Sequence, residues 1–505
     1  MACVLAAAGC RNVAPPATVF FASGAELQSI NPLLTVHPLA RQVQRYALFM
    51  TLVRYDTALV AQPYLAERWR WSADRRELEL TLRRDVRWHD GAPVTAADVA
   101  FTLDAARDSA TGYPRRADLA CLAGVRAEGA AVVRLAFCRP QPGMPDVLTD
   151  LAILPAHLLG AVPHADLRRA PFNAHPVGDG PFRFVSHTPD QRWVFEANPD
   201  FPAALGGPPG LRRLVIVIVD EPATKLAGLV TGDLDVAGIG PMHAALVRRD
   251  SDLRVVSYPL LLTYGLVWNS ARPPFDDPRL RRALTLALDR KQMVDAYLYG
   301  FGVVADGPVP PWHPLAVPVP PVPFDRAAAA ALLDSLGWRA GPGGQRSRAG
   351  TPLAFTLLTV GTADNALEQM IQADLDAVGV AVRIRQLELG AFLARASGAA
   401  RDYDALVTGV SGDLSLGYLR GLFDSRRRAE PLQYAQYANP AVDRALDAGD
   451  FAAVQRIVAH DLPITFLYHA RGLQALDRRL HGVRMDLRGE LATLHEWHLD
   501  PGARE

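Results

Sequence analysis

The chain has 505 residues and is 50% hydrophobic, too long for one core, so roughly two to four domains are predicted. Lysine plus arginine and aspartate plus glutamate number 53 each, and this balance argues against nucleic acid or an anionic membrane as the main partner. No apolar run reaches the roughly 18 residues that a membrane-spanning helix needs.

The first ten residues, MACVLAAAGC, are small and apolar. Ala7-Ala8-Gly9-Cys10 resembles the lipobox of a bacterial lipoprotein signal, which implies lipidation at Cys10. Residues 11–17, with Pro15-Pro16, then read as a tether. Thr18–Ala22 is a predicted strand, Asn31-Pro32 a turn, and Arg41–Val53 a predicted helix.

In Glu77–Leu103, Leu78, Leu80 and Leu82 alternate with polar residues as in a half-buried strand. His89-Asp90-Gly91 makes a tight turn, and Pro93 keeps the connection irregular. Thr95 and Asp98 read as a capping box before the apolar positions Val99, Leu103 and Ala106 of a helix. The runs 122–127 and 132–137 flank a turn at Gly129 as a hairpin. That hairpin would bring Cys121 and Cys138 opposite each other, as a disulfide or as two buried thiols.

Asp179-Gly180-Pro181 is a turn, and Leu214–Val219 is a continuous β-branched run expected to be buried on both faces. A helix is expected from Glu221 to Gly232, and a strand at Tyr264–Asn269. Asp277 with Pro278 starts another helix. Pro308–Pro323 is predicted irregular, and Ala340–Gly350 a loop. Strands are expected at 353–359 and 380–384, with helices at 332–338, 366–377 and after Asn439-Pro440. Strands alternating with helices in two regions predict two α/β lobes plus a smaller insert.

Several runs stand in the order seen in family 5 of the extracellular solute-binding proteins, the dipeptide, oligopeptide and nickel receptors of bacterial ABC importers. Thr81-Leu82-Arg83, Trp88-His89-Asp90-Gly91, Pro93, Thr95-Ala96, Asp98-Val99 and Phe101-Thr102-Leu103 resemble "TLR-G-V-FHDG-P-TA-DV-FTL". Pro176–Phe182 resembles "NPVGTGPY", and Pro274–Leu284 resembles "PPFDDPRVRQAL". The resemblance covers nearly the whole chain. It implies a two-lobed periplasmic-binding-protein type II fold with an extra inserted domain (cluster C). On that pattern residues 1–13 are signal and tether, and 14–47, 171–262 and 466–505 form a discontinuous lobe I. Residues 48–170 form an inserted domain II, and 263–465 form lobe III.

No G-x-S-x-G, H-E-x-x-H, P-loop or C-x-x-C signature occurs, so no enzyme is expected. Asp413 stands where peptide-binding relatives carry an aspartate that grips the ligand's α-amino group. Ser23, Gly24, Ala25 and Glu26 follow the first strand, where relatives pair their backbone with an extended ligand. Tyr264 and Trp268 are candidate pocket residues. The resemblance implies an extracytoplasmic, lipid-anchored, monomeric receptor that traps a solute, a peptide first of all, between its lobes and hands it to an ABC permease. No cofactor, metal or nucleic acid is implied. The rival expectations are a sensor or chaperone-like binding protein of the same fold, and a receptor for nickel, an opine or a sugar.

Overall fold

The computed structural model describes residues 17–500 other than 36, 362–364 and 399–400; Cys10 and most of the expected tether lie outside the described residues. The chain divides into two compact units. One holds the described residues up to Val256 and those from Leu473 on; the other is Ser257–Gly472.

The first unit is built on strands β1 (Thr18–Ser23), β2 (Ala66–Trp71), β3 (Glu77–Leu82), β4 (Leu122–Glu128), β5 (Val132–Phe137), β6 (Phe182–Thr188), β7 (Arg192–Ala197), β8 (Arg213–Ile218) and β9 (Val236–Gly238). Its helices include α1 (Pro38–Val43), α2 (Ala96–Arg107) and α3 (Pro222–Thr231). Strand β10 (Leu253–Trp268) carries the chain into the second unit. There follow α4 (Pro278–Leu286), β11 (Gly302–Val304), β12 (Ala354–Val360), α5 (Ala366–Asp376), β13 (Ala381–Leu387), β14 (Ala405–Ser411) and α6 (Tyr418–Phe423). Strand β15 (Ile464–Asp477) brings the chain back.

In the first unit the sheet order is β6-β7-β8-β1-β9 and then the C-terminal part of β15. Strand β1 runs parallel to β8 and to β9, while β9 is antiparallel to β15, with Gly238 opposite Gln474. Period-2 alternation sorts the side chains. Ala22, Ala237 and Ala475 pack with Leu229 of α3 on one face, while Phe21 stacks on Trp497 on the other. A separate four-stranded sheet, in the order β2-β3-β5-β4, uses the alternating leucines of β3. Cys121 and Cys138 flank its β4–β5 hairpin and are joined by a disulfide.

In the second unit β13, β12 and β14 run parallel in that order, and β10 pairs antiparallel with β14. Leu266, Trp268, Leu357 and Val407 enter one apolar cluster, and Val267, Leu358 and Leu406 enter another. Consecutive residues thus feed opposite faces, so both faces of this sheet are covered.

Two local expectations are corrected. The helix expected over Arg41–Val53 ends at Leu48, its last turn a π-helix at Gln44–Leu48, and Val53–Tyr55 is a strand. The loop expected at Ala340–Gly350 takes part in a small meander of three short strands, Arg339–Ala340, Arg346–Arg348 and Thr351–Pro352. The buried Arg346 guanidinium stitches it, donating to the carbonyls of Trp338 and Val378.

Candidate functional site

In α/β sheets, ligands gather at the carboxyl ends of parallel strands. In the first unit the β1 end carries Ser23, Gly24, Ala25 and Glu26. The buried Ser23 hydroxyl donates to the Ala25 carbonyl at 2.6 Å, and the Ser23 carbonyl accepts from Val219 N–H. Gly24 and Ala25 are exposed. An ideal β-carbon at Gly24 would stand 3.0 Å from Lys225 Nζ, so a larger residue would displace that lysine. Glu26 is committed elsewhere: its carboxylate accepts from Trp193 Nε1 and from the Leu27 and Asp190 amides, and lies 3.3 Å from His187 Nε2. Burial pushes its pKa up, but these bonds outweigh it and hold the carboxyl below its ordinary value. Glu26 ties the β1 loop to the β6–β7 hairpin.

In the second unit Asp413 follows β14. Ser411 pairs with Leu262 and Gly412 N–H bonds to the Leu261 carbonyl, which sets Asp413 near the β10 end where the chain enters this unit. Its carboxylate accepts from Ser415 N–H and Oγ, Gly417 N–H and Tyr418 N–H, at 2.8–3.0 Å. A carboxylate has about four lone-pair sites, so most of its capacity is spent on its own loop and on opening α6. Around it, the Tyr418 hydroxyl donates to the Pro308 carbonyl, and His313 Nε2 lies 3.2 Å from the Leu414 carbonyl. Trp312 Nε1 donates to the Leu260 carbonyl, and the Arg471 guanidinium sits 5.5 Å from the Trp312 ring centroid. Buried His469 bonds Thr263 at 2.9 Å and meets Trp312 edge-on; desolvation drives its pKa down to about 3, so it is neutral.

Trp312, Tyr418 and Arg471 were not singled out by sequence reasoning. Trp312 hid in a proline-rich stretch, and Tyr418 carried only its distance of five residues from Asp413 as a signal. Tyr264 is half-buried and stacks on Tyr468 at 5.0 Å, and burial raises its pKa. Trp268 is corrected as a pocket residue. It is 0% exposed, donates from Nε1 to Thr465 Oγ1, and packs against Phe275 and Phe355, so it offers no surface to a solute. Among the described residues, no three His, Cys, Asp or Glu side chains converge as a metal site would need.

The model for bacterial extracellular solute-binding proteins, family 5 Middle, matches residues 60–424. The chain belongs to that family. Protein XP55 of Streptomyces lividans is 31% identical over 470 residues, 88% of this chain and 83% of its own. The oligopeptide-binding protein AppA of Bacillus subtilis is 27% identical over 474 residues, 90% and 86% respectively. A solved structure of AppA in complex with a nonapeptide matches with TM-score 0.78 and 25% identity, covering 96% of this chain and 99% of that one. The fold is accordingly the α/β fold of the two-lobed periplasmic binding proteins.

Two of the family 5 runs form one structural joint. His89 Nδ1 accepts from Gly178 N–H, Nε2 bonds the Gly180 carbonyl, and His89 N–H donates to the Gly178 carbonyl. A β-carbon at Gly178 would lie 1.8 Å from the Leu48 carbonyl oxygen, so only glycine threads there. His89 thus holds the two runs together as a joint, while Asp90 bonds His157 at 2.8 Å.

Proposed function

We propose that the chain is the substrate-binding protein of an ABC importer and that its solute is a peptide. The observation that carries this reading is the match of 96% of the chain to a structure that holds a nonapeptide. The Asp413 loop supports it, because a carboxylate fixed by its own backbone adds negative charge for a ligand ammonium at little reorganisation cost. Exposed Gly24 supplies main chain at the end of β1 for strand-like pairing. A micromolar affinity asks for about −8 kcal/mol, within reach of several backbone hydrogen bonds and one charged contact.

Further parts of the reading are an ABC permease as partner, a monomer, no nucleic-acid contact, an extracytoplasmic location with Cys10 lipidated, and release of the solute unaltered. The three-part division with residues 48–170 as an inserted domain belongs to it as well, supported by the separate sheet β2-β3-β5-β4.

Native mass spectrometry of the purified protein should find co-purified peptide, and calorimetry with tripeptide mixtures should give micromolar or tighter binding. Asp413→Asn keeps part of the loop's acceptor set and should weaken free-amine peptides about tenfold or more while sparing N-acetylated ones. Peptide hydrolysis by the pure protein, or equal loss for both peptide classes, would overturn the respective parts.

A further inference from the structure

The chain carries two lysines among 53 basic residues. Lys291 pairs with Asp295 on the surface. Lys225 stands elsewhere, in the first turn of α3, shortly after the carboxyl end of β8. Strand β8 runs parallel to β1, and Val219 N–H bonds the Ser23 carbonyl, so this turn lies at the end of the sheet where solutes gather. The residue is half-buried, and its ammonium makes no ion pair or hydrogen bond among the described residues. The nitrogen is not enclosed and reaches solvent.

Nothing local accounts for that charge. Glu221, one turn earlier, is the ordinary partner for a lysine at this spacing, yet its carboxylate caps α3 at the Ala223 amide. Glu26, the acid of the β1 loop, is committed to Trp193, His187 and the Leu27 and Asp190 amides. A cation in the first turn of a helix also opposes the macrodipole, so Lys225 does not serve the stability of α3. Gly24 gives the ammonium its place. It is exposed, and an ideal β-carbon there would crowd Lys225 Nζ at 3.0 Å. Gly24 has no positive φ, so its backbone does not call for glycine. What the missing side chain does is let the lysine lie beside the exposed main chain at the end of β1.

We propose that Lys225 is a solute-contacting residue of the first unit whose ammonium receives a carboxylate of the captured peptide, either the C-terminal one or that of an acidic side chain. This rests on the receptor reading above and adds to it a specificity-determining residue. An exposed ion pair contributes little, but capture strips water from both partners, and their attraction grows as the effective dielectric falls. A lysine suits the task in a chain that otherwise uses arginine. Its flexible stem lets the ammonium follow carboxylates of peptides that differ in sequence, where an arginine fork fixes one geometry.

Three equimolar random tripeptide mixtures serve as probes. The first lacks Asp and Glu and has free C-termini; the second is C-amidated and contains Asp and Glu; the third is C-amidated without either and so carries no carboxylate. Lys225→Met keeps the stem and removes the charge. It should weaken binding of a carboxylate-bearing mixture about tenfold, spare the third mixture, and leave the apo melting temperature unchanged or slightly raised. Loss on the first mixture assigns the C-terminal carboxylate, and loss on the second assigns the side chain. Unaltered affinity of Lys225→Met for every mixture that wild type binds would overturn this proposal alone. So would equal weakening of all three together with a lower melting temperature, since Lys225 would then be structural. Wild type that binds none of the three would overturn the receptor reading, and this one with it.

Discussion

Asp179 is the residue whose setting departs furthest from its chemistry. Its Oδ1 accepts from Met50 N–H at 2.8 Å, while Oδ2 is buried without a partner among the described residues. Burial, with the Asp98 charge adding to it, raises its pKa well above the ordinary carboxylate value. The unfolded chain ionises Asp179 first as pH rises, so its stability contribution is whole below the ordinary carboxylate value and is lost with increasing pH until the folded pKa is reached. Beside it His89 has the opposite slope. Burial lowers its pKa from 6.5 to about 4, so stability is lost as pH falls from about 6.5 to about 4. Asp179→Asn should therefore raise the melting temperature at pH 8. The gain should shrink toward pH 4, and scanning fluorimetry across that range checks both sign and slope. The sequence marked Gly178-Asp179-Gly180 as a turn, but burial of the carboxylate depends on Leu48 and Met50, more than a hundred positions away.

At the scale of elements, local signals were the reliable ones. The capping box of α2 forms as its residues suggest, with Asp98 accepting from Thr95 N–H at 2.7 Å. What the box could not reveal is that the other oxygen of Asp98 accepts from Ala156 N–H, tying α2 to a segment 58 positions on. The helix expected through Val53 failed because Phe49 turns extended and the chain goes on to pair Val53–Tyr55 with Ala61–Pro63. The β4–β5 hairpin is closed by Cys121–Cys138 across 17 positions. Reduction, or replacement of both cysteines by serine, should cost about 3 kcal/mol in urea unfolding by the loop-closure argument. An unchanged unfolding midpoint would mean that hairpin pairing alone already restrains that loop in the unfolded chain.

At the scale of the whole molecule, each unit has apolar clusters of its own. Calorimetry of the free protein should accordingly resolve more than one transition. A tripeptide held at 100 times its dissociation constant should raise stability by about 2.7 kcal/mol, and a melting profile indifferent to every peptide would argue against the receptor reading. Because the formal charge is zero, that stabilisation should depend weakly on salt apart from the Asp413 contact.

The sequence by itself determined the α/β class, the order of most elements and the family, because alternation, caps and glycine turns act over a few residues and leave local marks. Tertiary structure decided which polar groups are spent and which are open. Trp268 looked like a pocket aromatic until Phe275 and Phe355 closed around it. Asp413 looked free until four donors of its own loop turned onto it. Hydrogen-bond satisfaction is set by neighbours distant in sequence, and no local pattern encodes it.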